Sequence, residues 1–271
     1  GGDINLNNEG TSTGNVTLNG DLTTTGAPGG NVTVGTAAVL GADVAIDTGS
    51  AGGNVTFDST VSGAQDLDVT AGTGDVTFSD DVGTTGTALT SFDIHSANNV
   101  NLGDVETTGN TPTETINIGA TSAIAGTLSL SGELATDGAG GGVATGGLRI
   151  NVAAAGAGGA ISLTSNATFD TDEGTATTDG SLVFAGNSTL SSAPINDFGA
   201  TFEVGTGNLD FTAVILQNVD FVLVRTANNV ILGALTTADG SENPDSAGVG
   251  IDINNTGTVT LGGNLSTDAL A

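Results

Sequence analysis

Eleven times along this chain one short phrase returns: a small turn residue, then an apolar residue, one spacer and a second apolar residue. The copies are Val16-Thr17-Leu18, Val32-Thr33-Val34, Val55-Thr56-Phe57, Val76-Thr77-Phe78, Val100-Asn101-Leu102, Leu128-Ser129-Leu130, Ile161-Ser162-Leu163, Leu182-Val183-Phe184, Leu209-Asp210-Phe211, Val230-Ile231-Leu232 and Val259-Thr260-Leu261. They lie on average about 24 residues apart, the range of stacked solenoid repeats and not of a globule. Each unit of such a stack touches only its neighbours, so the chain grows into a rod with long side walls. Residues 1–271 therefore read as a single repeat domain.

Each coil reads as three strand-like pieces separated by turns rich in Gly, Asn and Asp. The phrase is the middle piece. Before it stands a strand with an inward pair, as in Ile4 and Leu6, Val44 and Ile46, Leu67 and Val69, Phe92 and Ile94, or Leu148 and Ile150. After it comes a short strand with one apolar anchor, such as Leu22, Val61, Val105, Leu190, Leu235 or Leu265. Period-two alternation sends the apolar side chains to one face and Thr, Asp, Asn and Ser to the other. Coil lengths vary from about 16 to about 33 residues, which loops between stacked strands accommodate. The expected fold is all-β: a right-handed parallel β-helix of about eleven coils with three short strands per coil. The coils around Gly30 and Gly180 lack a clear first strand. Phe57 and Phe78, and Phe184 and Phe211, fall at equivalent places in adjacent coils and are expected to stack in the core. The best internal match, Ser96–Gly103 against Thr226–Gly233, sets His95 opposite Arg225 in repeat position.

Composition excludes several functions. Gly is 45 of 271 residues without a Gly-X-Y period, so the glycines are turns and not collagen. Two basic residues, Arg149 and Arg225, against 30 acidic ones give a formal charge of −28. Such a chain has no basic footprint for nucleic acid and is repelled by anionic membranes. Its self-repulsion asks for screening cations. There is no cysteine, and no apolar run long enough for a membrane span, so neither disulfides nor membrane insertion is expected.

Phrases such as Gly-Asn-Val-Thr-Leu followed by Asp-Leu-Thr-Thr-Thr-Gly, set in irregular coils, resemble the large β-helical exoproteins of bacteria: the filamentous haemagglutinin family, autotransporter passengers and related β-strand-repeat adhesins. The resemblance implies an exported, elongated surface or matrix protein of bacterial origin, localised outside the cell. An extracellular structural or adhesive rod is thus the leading expectation. Its partners would be further copies, head to tail or side by side, and cell-surface or matrix polysaccharide.

Pectate lyases and polygalacturonases share the architecture, so a carbohydrate-active enzyme is the alternative, recognisable by three or more carboxylates lining one wall. An ice- or mineral-binding solenoid is a third, but the Thr-Thr-Gly phrases are too irregular for a lattice. No catalytic residue is expected. His95, beside Asp93 and Ser96, reads as part of a solvated strand face. The glycine clusters at 72–74 and 140–142 lack the Lys-Thr of a phosphate loop. No cofactor is required by this reading. Calcium is the ion that the acidic groups Asp80 and Asp81, and Asp170, Asp172 and Glu173, would take. Sequons at Asn15, Asn31, Asn54, Asn187 and Asn264 are what abundant Asn and Thr produce by chance.

One segment breaks the alternation. Val214-Ile215-Leu216 and Phe221-Val222-Leu223-Val224 are apolar on both faces; if Val222 and Val224 point inward as Phe92 and Ile94 do, Phe221 and Leu223 point outward. Val214, Leu216, Phe221 and Leu223 are therefore candidates for a surface covered by a partner chain or by the loop from Ala193 to Ala200. The ends are candidates too. The chain opens with the inward pair Ile4 and Leu6 and closes after Leu265, an order in which one copy would continue into the next in phase, as a longer rod or a stacked fibre.

Overall fold

Alternating Val, Ile, Leu and Phe against Thr, Asp and Asn make strands with one dry face, and strands of this kind are stable only when many stack. The computed structural model describes residues 1–7, 13–24, 26–83, 87–108, 114–136, 146–154, 159–172, 179–186, 188–192, 198–238 and 251–268. Among the described residues there is no helix, and thirty short strands pair in parallel. The architecture is all-β and consistent with a parallel β-helix, or solenoid.

The strands form three walls. The first is an 11-stranded sheet that runs from Ile4–Leu6 to Leu265–Asp268. The second joins a 3-stranded sheet, Val16–Leu18 to Val61–Ser62, to a 6-stranded one, Val105–Glu106 to Ile251–Ile253, through the single-residue bridges Val61 to Val82 and Val82 to Val105. The third is a 10-stranded sheet from Leu22–Thr23 to Val259–Leu261. Along the chain the strands visit first, second and third wall in rotation, with Val82 standing in for one second-wall strand.

Register keeps like on like. On the first wall Ile4, Val32, Val55, Val76, Val100, Leu128, Ile161, Leu190, Leu216, Leu235 and Leu265 stand opposite one another in succession, an unbroken apolar column. A one-residue slip anywhere would turn this column to solvent, so the hydrophobic pattern fixes the pairing. Leu190, Leu235 and Leu265, expected as third-piece anchors, belong to the same column as Val32 and Val55.

That correction has a local cause. The recurring phrase is tied to a corner and not to one wall: Val16–Leu18 lies on the second wall, the six copies from Val32 to Leu163 on the first, and the four from Leu182 to Leu261 on the third. The changes fall near Gly30 and Gly180, where the phrase returns after two strands instead of three. The matched octets Ser96–Gly103 and Thr226–Gly233 accordingly turn different corners, from third wall to first and from second to third. Their local geometry is nonetheless shared. His95 and Arg225 are each the extra residue where the register shifts, and Ala97 and Ala227 are buried behind them.

Phenylalanines fill the interior as expected. Phe57 stacks on Phe78 with ring centroids 4.9 Å apart, and Phe184 on Phe211 at 5.1 Å. A third stack, Phe169 on Phe202 at 5.1 Å, comes from the second wall and meets the Phe184–Phe211 pair edge-on.

Polar corners are organised as strictly as the core. The side chain of the residue before a first-wall strand accepts the amide of its counterpart on the next strand: Asp3 from Asn31, Asn31 from Asn54, Asn54 from Asp75, Asp75 from Asn99, and Asn99 from Thr127. Inside the corner, buried Thr hydroxyls donate to glycine carbonyls, Thr48 to Gly53 at 2.8 Å and Thr171 to Gly180 at 2.8 Å. These bonds satisfy backbone groups that the sharp turns take out of the sheet. The sequon residues Asn31 and Asn54 are members of this ladder.

Candidate functional site

Outward-facing side chains on a parallel wall are set in columns one strand apart, so residues far apart in sequence become neighbours. On the third wall Asp66–Thr70 pairs with Ser91–Ser96, which brings Asp68 directly opposite Asp93. Ile94 faces Val69 and Ser96 faces Thr70, leaving His95 as an extra residue. A bulge of this kind re-aims a side chain. Here it swings the imidazole back over the neighbouring strand, with Nε2 3.1 Å from Asp68 Oδ1 and Nδ1 3.0 Å from Thr121 Oγ1.

The three groups converge. One donor atom each from Asp68, Asp93 and His95 lies within 4.8 Å of the others. Asp93 Oδ1 is buried and has no hydrogen-bond partner. Burial, followed by the charge of Asp68, pushes the Asp93 carboxyl up to about 6, with His95 opposing and Asp66 and Glu114 adding to the rise. Ser91 Oγ donates to Asp66 Oδ1 at 2.9 Å, and Ser96 Oγ accepts the Gly72 amide at 3.3 Å. Both ring nitrogens of His95 therefore face groups other than Ser96. The cluster can hold a cation or a proton.

The acids expected to take calcium are placed differently. Asp80 and Asp81 sit at the turn after Val76–Phe78, where Asp80 Oδ1 accepts the Asp81 amide. The Asp81 carboxyl is raised by burial, then by Asp104 and Asp80. Asp170 Oδ1 accepts the Asp172 amide at 2.8 Å, and Glu173 lies outside the described residues. Asp172 lines a groove of about 320 Å³ together with Asp179, Thr206, Arg225 and Asn254. Thr226 Oγ1 donates to Asp172 Oδ2 at 3.0 Å, and Thr206 donates to Asp179 Oδ2 through its amide at 2.7 Å and its hydroxyl at 3.0 Å. Arg225 Nη1 reaches Glu203 Oε1 at 2.6 Å. A broader groove of about 520 Å³ runs along the third wall between Ser181, Val183, Asn208, Asp210, Ile231 and Thr258.

Val214 and Leu216 are not surface residues. Both are buried, and Ile215 between them is 50% accessible. The period-two expectation holds from Val222 onward: Val222 and Val224 are buried and Leu223 is half-buried, on the second wall and not on the wall of Phe92 and Ile94. Phe221 is half-buried with its ring so close over Gly199 that a Cβ there would overlap it. Gly199, next to Phe198 packed on the core, thus lies against Phe221.

At the ends, Ile4 and Leu6 are half-buried against the core, whereas Leu265 is 39% accessible beside Val259 and Leu261. Ile4–Leu6 and Leu265–Asp268 belong to the same wall.

Sequence alone could not pair His95 with Asp68. The two are 27 residues apart, and the bulge that joins them leaves no periodic signal. The chain was compared with protein-family models, curated proteins and solved structures, and nothing matches.

Proposed function

We propose that this chain is a right-handed parallel β-helix of about eleven coils, three short strands per coil, serving as an exported structural or adhesive rod. The setting is a bacterial cell surface or matrix, in the manner of the filamentous haemagglutinin-type exoproteins. The observation that carries this reading is the unbroken apolar column from Ile4 to Leu265 on a single wall. A fold whose core is extended strand by strand in one direction adds side-wall area with every repeat, which suits display and spacing. At about 4.8 Å per strand the rod is roughly 50 Å long. Its acidic walls suit contact with neutral or cation-bridged polysaccharide and with further copies of itself.

Small-angle scattering of the purified chain, paired with binding to intact bacterial cells and their extracted polysaccharide, tests both halves. An elongated particle that binds cells or matrix glycans is expected. A compact particle, or a rod with no affinity for any surface, envelope glycan or second copy, overturns the reading.

One observation favours a second reading. Asp66, Asp68, Asp93 and Glu114 gather on one wall close enough for their charges to act on Asp93. That is the carboxylate-lined face expected of a carbohydrate-active β-helix enzyme. Incubation with neutral and acidic polysaccharides decides it: new reducing ends or unsaturated products, lost on Asp93→Asn, would establish an enzyme.

A further inference from the structure

We propose that Asp68, Asp93 and His95 form a binding site for a first-row divalent transition-metal ion, with Zn²⁺ as the reference occupant, which clasps two neighbouring strands of the third wall. The register sets Asp68 and Asp93 side by side, two carboxylates in one column, with His95 over them and Arg149 two strands further along the same column, where its Nη1 donates to Asn117 Oδ1. Like charges directly opposite on neighbouring strands are unfavourable. A polar side chain such as Asn or Thr would serve a purely structural wall position without that penalty.

The geometry supplies what the charge asks for. Asp93 Oδ1 is sealed from water and accepts no hydrogen bond, an orphan acceptor of the kind that an ion satisfies. His95 Nε2 and Asp68 Oδ1 are 3.1 Å apart, close to the ~3.3 Å that separates two ligands on one tetrahedral zinc ion. The third donor already lies within 4.8 Å of the other two. Thr121 Oγ1, 3.0 Å from Nδ1, holds the imidazole from its far side, as the outer partners of ligating histidines do. The bulge at His95 is what brings the ring over Asp68 at all.

The donor set selects the ion. One imidazole nitrogen with two carboxylates favours Zn²⁺, Co²⁺ or Mn²⁺ over Ca²⁺ and Mg²⁺, which prefer oxygen alone. This is a separate site from the acids at Asp80–Asp81 and Asp170–Asp172, and it does not depend on the rod or enzyme readings above.

The test is a titration of the metal-stripped full chain with Co²⁺, followed by its visible absorption bands, and then displacement by Zn²⁺. One ion per chain is expected, with bands of imidazole–carboxylate coordination and little competition from excess Ca²⁺. His95→Ala and Asp93→Asn should each weaken binding at least about tenfold. Asp80→Asn/Asp81→Asn should leave it unchanged. Far-UV circular dichroism checks that each variant folds; if His95→Ala does not, His95→Gln replaces it. Absence of stoichiometric Co²⁺ or Zn²⁺ binding, its persistence in a folded His95 variant, or equal displacement by Ca²⁺ overturns the proposal.

Discussion

Asn54 and Asp75 occupy the same corner on successive strands of the first wall, and the Asn54 side chain accepts the Asp75 amide at 2.9 Å. The Asn54 amide in turn donates to Asn31 at 2.8 Å, so each corner residue is both held and holding. Asn54→Ala leaves the Asp75 amide without its acceptor and should destabilise by about 1 kcal/mol. Asn54→Asp keeps the acceptor and should cost less. Urea denaturation reads the difference, and amide exchange should speed up at Asp75 first. Equal loss from both variants would show that the side-chain acceptor is not what stabilises this corner.

Phe202 contacts three other rings: Phe169 at 5.1 Å, Phe184 at 6.3 Å and Phe211 at 4.9 Å between centroids. Truncation to Ala removes the ring common to all three and leaves a cavity that neighbours from two walls cannot both close. Thermal or urea denaturation should show a loss of about 3–5 kcal/mol. Phe202→Leu should recover more than half of it.

Two glycines make a paired test. A Cβ at Gly53 would overlap the Gly30 carbonyl oxygen one strand away, whereas at Gly103 the nearest atom is Ser131 Oγ at 3.8 Å. Gly53→Ala forces backbone apart and should cost about 1–3 kcal/mol. Gly103→Ala should be neutral or stabilising by about 0.5 kcal/mol. Melting temperatures of the two variants should move in opposite directions, or Gly53 alone should move.

Asp93 gives the metal-free chain a pH dependence. Its carboxyl is raised from the ordinary 3.8 to about 6, chiefly by burial and then by Asp68. Between those two values the folded chain binds more protons than the unfolded one. Stability contributed by the protonated form is complete below the lower value and is lost as pH rises through the upper one. The group is only half-buried, and solvent screening reduces the effect to about 1 kcal/mol. Denaturation midpoints measured in chelator should fall across this window, and Asp93→Asn should abolish that part of the fall.

Much of the fold was legible because a β-solenoid writes its core as period-two alternation and its corners as Gly and Asx. The stacks of Phe57 on Phe78 and of Phe184 on Phe211 followed from spacing alone. Phe169 and Phe202 did not, because they enter from the second wall and their partners in sequence carry no matching phrase. The wall assignment of Leu190, Leu235 and Leu265 went astray for a related reason: the phrase encodes a corner and the strand after it, and nothing in it records which wall that strand joins. Val214 and Leu216 were misread because alternation cannot say which of two apolar sets faces inward; only the pairing of Leu216 with Leu190 and Leu235 does. The Asp68–Asp93–His95 cluster needed register between neighbouring strands and a bulge, neither of which leaves a trace in composition.

Because the corner phrase is indifferent to wall, losing or gaining one strand with its corner rotates everything downstream by a third of a revolution while the ladder stays intact. The changes near Gly30 and Gly180 are places where the chain tolerates such a step. A molecule of this construction can re-aim an entire outer face through one short deletion, with no core residue replaced. Its surface is therefore free to diversify by orientation as well as by substitution.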